Sequence, residues 1–121
     1  PATVKRAERA LFCSPFYLEL FADMQNNSVK LQKIADFSTT GQKYLKKPLS
    51  ENKIDTELMW LTKVGLLRRE VDGQGITDSF RLTPLGRILV NKWSHQGGAF
   101  PVASFSEQIA NWFLRCFNFS F

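Results

Sequence analysis

Between Ser50 and Gly86 the chain carries a run of start and stop signals that leaves little freedom in how the stretch folds. Ser50 is a good N-cap. Ile54, Leu58 and Leu61 follow at helical spacing, with Val64 completing the stripe, so a helix is expected over about residues 51–64. Gly65 stands where a helix C-cap wants positive φ. Leu66–Val71 then reads as a strand, Asp72-Gly-Gln-Gly75 as a glycine-rich turn, and Ile76–Leu82 as the returning strand. Thr83-Pro84 joins an N-cap to a proline at the first helical position and opens a further helix over Leu85–Trp93. Helix, hairpin and helix joined this tightly predict an α+β unit. In it, Leu66, Leu67 and Leu82 pack under the apolar face of the first helix.

Upstream, helical periodicity dominates. Residues 3–12 place Val4, Ala7, Leu11 and Phe12 on one side. Ser14-Pro15 marks a second start, and Phe16–Gln25 spaces Phe16, Leu20 and Met24 by four, with Tyr17 and Phe21 beside them. Asn26-Asn27 ends that helix. Ser28 can cap a third over Val29–Phe37, with Leu31, Ile34, Ala35 and Phe37 inward and Lys30 and Lys33 toward solvent. The polar stretch Ser38–Lys47, broken by Gly41 and closed by Pro48, is longer than the short turn of a tight helix-turn-helix. Either the preceding helix extends into it or the loop is enlarged. Beyond residue 94, His95–Pro101 reads as a linker, and the capping box Ser104-Phe-Ser-Glu107 opens a last helix to about residue 118.

The run Leu58-Met-Trp-Leu-Thr-Lys-Val-Gly65-Leu-Leu-Arg-Arg69, followed by Asp72-Gly-Gln-Gly75 and Phe80-Arg-Leu-Thr-Pro-Leu-Gly86, resembles the winged helix-turn-helix superfamily. The MarR-like and PadR-like transcriptional regulators belong to that superfamily. The resemblance covers about residues 14–94. It implies a mainly α fold with a small antiparallel β-hairpin (α+β), in one domain over residues 1–121. Helices 3–12 and 104–118 would be additional N- and C-terminal dimerisation elements. It further implies a helix 51–64 seated in the major groove of double-stranded DNA, with the hairpin against the neighbouring backbone or minor groove. The solvent side of that helix is expected to present Asn52, Lys53, Thr56, Trp60 and Lys63. Asn52 can read adenine, and Lys53 and Lys63 can contact guanine or phosphate. Lys43, Lys46, Lys47, Arg68, Arg69 and Arg81 would neutralise phosphates around it.

Charge gives this reading mixed support. Sixteen Lys and Arg against eleven Asp and Glu leave a net +5, suited to a polyanion. Most of the excess lies in residues 1–47. The expected recognition helix, however, sets Glu51, Asp55 and Glu57 against Lys53 and Lys63, and the hairpin turn has no Lys or Arg. Acidic groups beside phosphates are repelled, so a solvated helix face is the plainer alternative. Met59 and Trp60, if exposed, suit a protein surface better than a base edge. A second function class is therefore an adaptor that binds a protein partner through Trp60 and the aromatic C-terminal helix.

That last helix carries Phe105, Ile109, Trp112, Phe113 and Cys116 as one stripe, extended by Phe117, Phe119 and Phe121. This is more aromatic surface than a small domain readily covers. It points to a homodimer in which the first and last helices pack on a partner copy, with packing against residues 3–25 of the same chain as the alternative. A membrane-surface role is disfavoured, since Arg115 is the one basic residue there.

Other classes find no motif. No apolar run reaches the roughly 18–20 residues of a membrane span, and the first residues lack a signal-peptide pattern, so a cytoplasmic protein is expected. Cys13 and Cys116, far apart and with His95 as the one histidine, do not make a metal site. They read as small buried side chains, with a disulfide between the first and last helices as the alternative. There is no Gly-rich phosphate loop or nucleophile elbow, and His95 falls in the linker; neither an enzyme nor a cofactor is expected.

Overall fold

The computed structural model describes residues 2–38 and 41–95. Among these, the order is α1 (Ala2–Cys13), α2 (Leu18–Asp23), β1 (Val29–Lys30), α3 (Leu31–Ala35), α4 (Gly41–Tyr44), α5 (Glu51–Lys63), β2 (Leu67–Asp72), β3 (Gly75–Leu82) and α6 (Pro84–His95). The class is mixed α+β, with the described strands in one antiparallel sheet of order β1-β3-β2.

The local signals around α5 are realised. The Ser50 side chain accepts a hydrogen bond from the Lys53 N–H at 3.1 Å, satisfying one of the orphan donors of the first turn. Gly65 takes φ +93°, a conformation that costs other residues steric strain, and so turns the chain from α5 toward β2. Leu67 pairs with Leu82 and Arg69 with Phe80, and the register shifts between Arg69 and Val71 before the turn closes at Asp72 and Gly75. Thr83 accepts the Gly86 N–H at 3.0 Å and so caps α6, while its own N–H donates to the Leu66 carbonyl.

Upstream, long-range contacts reset the expected boundaries. Val29 and Lys30 are not the start of a helix. They pair with Phe80 and Ser79 of β3, and α3 begins only at Leu31. Ser14 does not cap α2: its hydroxyl donates back to the Leu11 carbonyl at 2.8 Å. Phe16 bridges to Leu45, so α2 starts at Leu18 rather than Phe16. Within the stretch that separated two expected helices lies the separate short α4, whose Tyr44 carbonyl accepts the Tyr17 N–H at 2.8 Å. His95 ends α6 and is exposed, where a linker was expected.

One core joins these pieces. Ile54, Leu58, Leu61 and Val64 of the α5 region meet Leu66, Leu67, Phe80 and Leu82 from the hairpin and Leu89 and Val90 from α6. Ala7, Ala10 and Leu11 of α1 bury in the same cluster, so the apolar face expected to meet a partner copy is used within the chain. Glu8 ties α1 to α6, reaching Lys92 at 2.9 Å and the Trp93 indole N–H at 3.0 Å. Phe12 meets the Trp93 ring edge to face. Cys13 is half-buried. Phe105, Ile109, Trp112, Phe113, Cys116 and Phe117, with the whole expected 104–118 helix, lie outside the described residues.

Candidate functional site

Helix α5 is the element around which the candidate residues are arranged. It packs on α1, α3 and β2, and this three-sided contact buries more of it than one apolar stripe would. Trp60 is 2% exposed, contrary to its expected place on the solvent side, and Glu57 is 6% exposed. Together with Ile54, Leu58, Leu61 and Val64 these define a buried arc of about 160°, at roughly 100° per residue. Periodicity alone puts Trp60 on the solvent side, and packing of α5 on several neighbours buries it.

What remains outward is a narrow row. Asn52, Thr56, Met59 and Lys63 are all exposed and fall within about 60° of one another around the helix. No carboxylate belongs to the row. Glu57 is buried, with Lys53 Nζ at 3.5 Å from its Oε2. Asp55, about 70° from the centre of the row and with its side chain 41% exposed, accepts from Arg69 Nη2 at 2.7 Å. Glu51 is exposed in the first turn, about 110° from the centre of the row. Thr56 Oγ1 donates to the Asn52 carbonyl at 3.0 Å, so its hydroxyl proton is engaged on the helix itself.

The basic residues expected to surround α5 separate into groups. Arg69 is committed to the fold: besides holding Asp55, its guanidinium lies 4.8 Å from the Phe80 ring centroid, a cation–π contact that covers a core aromatic. Strand alternation puts Arg68 and Arg81, directly paired across β2 and β3, on the opposite face of the sheet from Arg69. There Arg81 Nη1 reaches Glu70 Oε1 at 2.9 Å, and Arg68 is exposed. Lys43 belongs to α4 and pairs with Asp23 at 3.2 Å. Lys46 and Lys47 are exposed in the segment that leads into Ser50, with Lys46 Nζ 3.2 Å from the Ser14 carbonyl oxygen. The structure thus brings Asn52, Thr56 and Lys63 together with Met59, which the sequence placed on a protein-binding face, and sets Lys53 about 90° from them, paired with Glu57. It sets Lys46 and Lys47 just before them, and assigns Arg69, Arg81 and Lys43 to ion pairs.

That lead-in segment is anchored by a buried phenol. Tyr44 Oη donates to Asp23 Oδ2 at 2.7 Å, and Lys43 approaches the same oxygen. Burial opposes ionisation of Asp23, but the Tyr44 hydrogen bond and then Lys43 together outweigh it and hold the carboxyl below its ordinary value. Tyr44 is pushed up to about 12, first by burial and then by the hydrogen bond to, and the charge of, Asp23. The charge patterning of the sequence did not single out this trio, because its members come from two elements.

Among the described residues no helix is long and apolar enough to cross a membrane, and no three or more His, Cys, Asp or Glu gather as metal ligands. The fold and this surface define a small α+β protein with a central helix that displays a carboxylate-free row. The chain belongs to the Npun_F0494-like family, whose model matches residues 1–115. No curated protein and no solved structure matches it.

Proposed function

We propose that this chain is a winged-helix protein that binds double-stranded DNA through the exposed row of α5, as a dimeric, cytoplasmic transcriptional regulator. The observation that carries the proposal is the placement of the α5 carboxylates. The helix is acidic when its charges are summed, yet the row available to a groove holds Asn52, Thr56, Met59 and Lys63, and the acid at its flank, Asp55, is paired with Arg69. Element order is the second support, since α5 runs directly through Gly65 into a two-stranded hairpin and then α6, as the resemblance implies. In this reading Lys46 and Lys47 contact phosphates beside the helix N-terminus, and Asn52 and Lys63 face base edges. The burial of Trp60 removes one anchor of the protein-adaptor reading, which rested also on Met59 and the aromatic C-terminal helix.

Titration of a generic duplex at low and moderate salt tests the proposal. Binding is expected to weaken steeply with salt, and Lys46→Ala/Lys47→Ala is expected to weaken it irrespective of sequence while lowering the salt slope by about two. Absence of binding even at low salt overturns the DNA reading. Light scattering on the full chain tests the dimer, and a strict monomer at tens of micromolar removes that part.

A further inference from the structure

Met59 stands out on α5 because an exposed thioether occupies the middle of an otherwise polar row. It is 37% exposed, and the other large hydrophobic residues exposed among the described ones, Tyr17, Val71 and Ile88, lie on other elements. The polar ends of the row are Asn52 and Lys63. Between them, Thr56 has its hydroxyl proton bound to the Asn52 carbonyl, and Met59 has no hydrogen-bond donor. The centre of the row therefore offers a base edge little to donate and a flexible apolar chain to pack. In the major groove the apolar feature on base edges is the C5-methyl of thymine. An unbranched, polarizable thioether adapts readily to such a group.

We infer that Met59 is a specificity-determining residue that makes the α5 surface prefer duplexes bearing C5-methyl pyrimidines, thymine in natural DNA. This rests on the DNA-binding reading above. Asn52 and Lys63 supply hydrogen bonds and charge at either end, and Met59 supplies discrimination between them.

Two pairs of short alternating duplexes test it at one low salt concentration: d(A-T) against d(A-U), and d(G-5-methyl-C) against d(G-C). Each pair differs by the same methyl at the same groove position. A change of duplex stiffness caused by uracil cannot imitate the effect in both. The wild-type chain is expected to bind the methylated member of each pair more tightly, by about fourfold per contacted methyl. Met59→Ala is expected to abolish most of that preference in both pairs, while its circular-dichroism spectrum and melting temperature stay near wild type, since Ala is a better helix former. Equal wild-type affinity within both pairs, or an undiminished preference in Met59→Ala, overturns the inference and leaves DNA binding standing. No binding to any of the four duplexes overturns the DNA reading itself.

Discussion

Replacing Tyr44 by Phe removes a single oxygen from the trio that fixes α4 on α2. Tyr44 is 1% exposed, and its hydroxyl donates to an ionised carboxylate at 2.7 Å. A hydrogen bond to a charged acceptor contributes about 1.5–3 kcal/mol. Asp23 keeps Lys43 at 3.2 Å and its side chain is 39% exposed, so water can take over part of the lost bond and the lower half of that range applies. The expected loss is about 1.5–2 kcal/mol, or roughly 5–8 °C in Tm for a chain of this size. The pH dependence identifies the cause. Tyr44 ionises near 10.0 when unfolded and near 12 when folded. A raised folded pKa means its contribution is complete below pH 10 and is lost as pH rises toward 12. Asp23 has a folded pKa below 3.8, so its contribution is complete above the unfolded value and is lost as pH falls through the folded one. Once the carboxyl is neutral, the Tyr44 hydrogen bond falls to about half its strength. Urea denaturation of wild type and Tyr44→Phe, followed by circular dichroism from pH 2 to pH 7, should therefore show a penalty that shrinks at the acid end. A penalty under about 0.5 kcal/mol at pH 7, or one that does not change on acidification, refutes the reasoning.

Two further substitutions test the packing that shapes the site. A Cβ at Gly86 would stand 2.3 Å from the Leu66 carbonyl oxygen and 3.0 Å from Leu82 Cδ2. Gly86→Ala should therefore destabilise by about 2–3 kcal/mol, although Ala for Gly in an open helix position is worth about 1 kcal/mol in the other direction; a urea midpoint at or above wild type contradicts that close approach. Trp60→Ala should cost about 3–5 kcal/mol, as a buried aromatic does, and a variant with an unchanged melt would return Trp60 to the surface.

What was legible in the sequence is what the backbone decides locally. Ser50, Gly65 and Thr83 each answer a need of the adjoining turn, and each does so in the structure as its position predicts. The strand at Val29-Lys30 is not legible locally, because its partners, Phe80 and Ser79, are distant in sequence. Nothing within the segment Val29–Phe37 distinguishes the first residues of a helix from a short strand. The same holds at Ser14 and Phe16, where the bridge from Phe16 to Leu45 delays α2. The burial of Trp60 is hidden from the sequence for a different reason. Helical periodicity fixes the angle at which a side chain leaves the axis, while burial depends on how many neighbours surround that axis, and α5 has three.

The carboxylates of α5 carry this furthest. Summed over the helix they argue against a polyanion partner, yet a partner meets a face rather than a sum. Glu57 lies under the surface, and Asp55 holds the same Arg69 that covers Phe80. The Asp55–Arg69 contact ties the helix to the hairpin and, in the same step, occupies the acid nearest the exposed row. It also withdraws from the surface an arginine that a sequence reading would count as a phosphate contact. The electrostatics of the candidate site are therefore a consequence of how the hairpin is attached. A substitution at Arg69 acts on the two together: it loosens the hairpin and leaves Asp55 beside the row without that counter-ion.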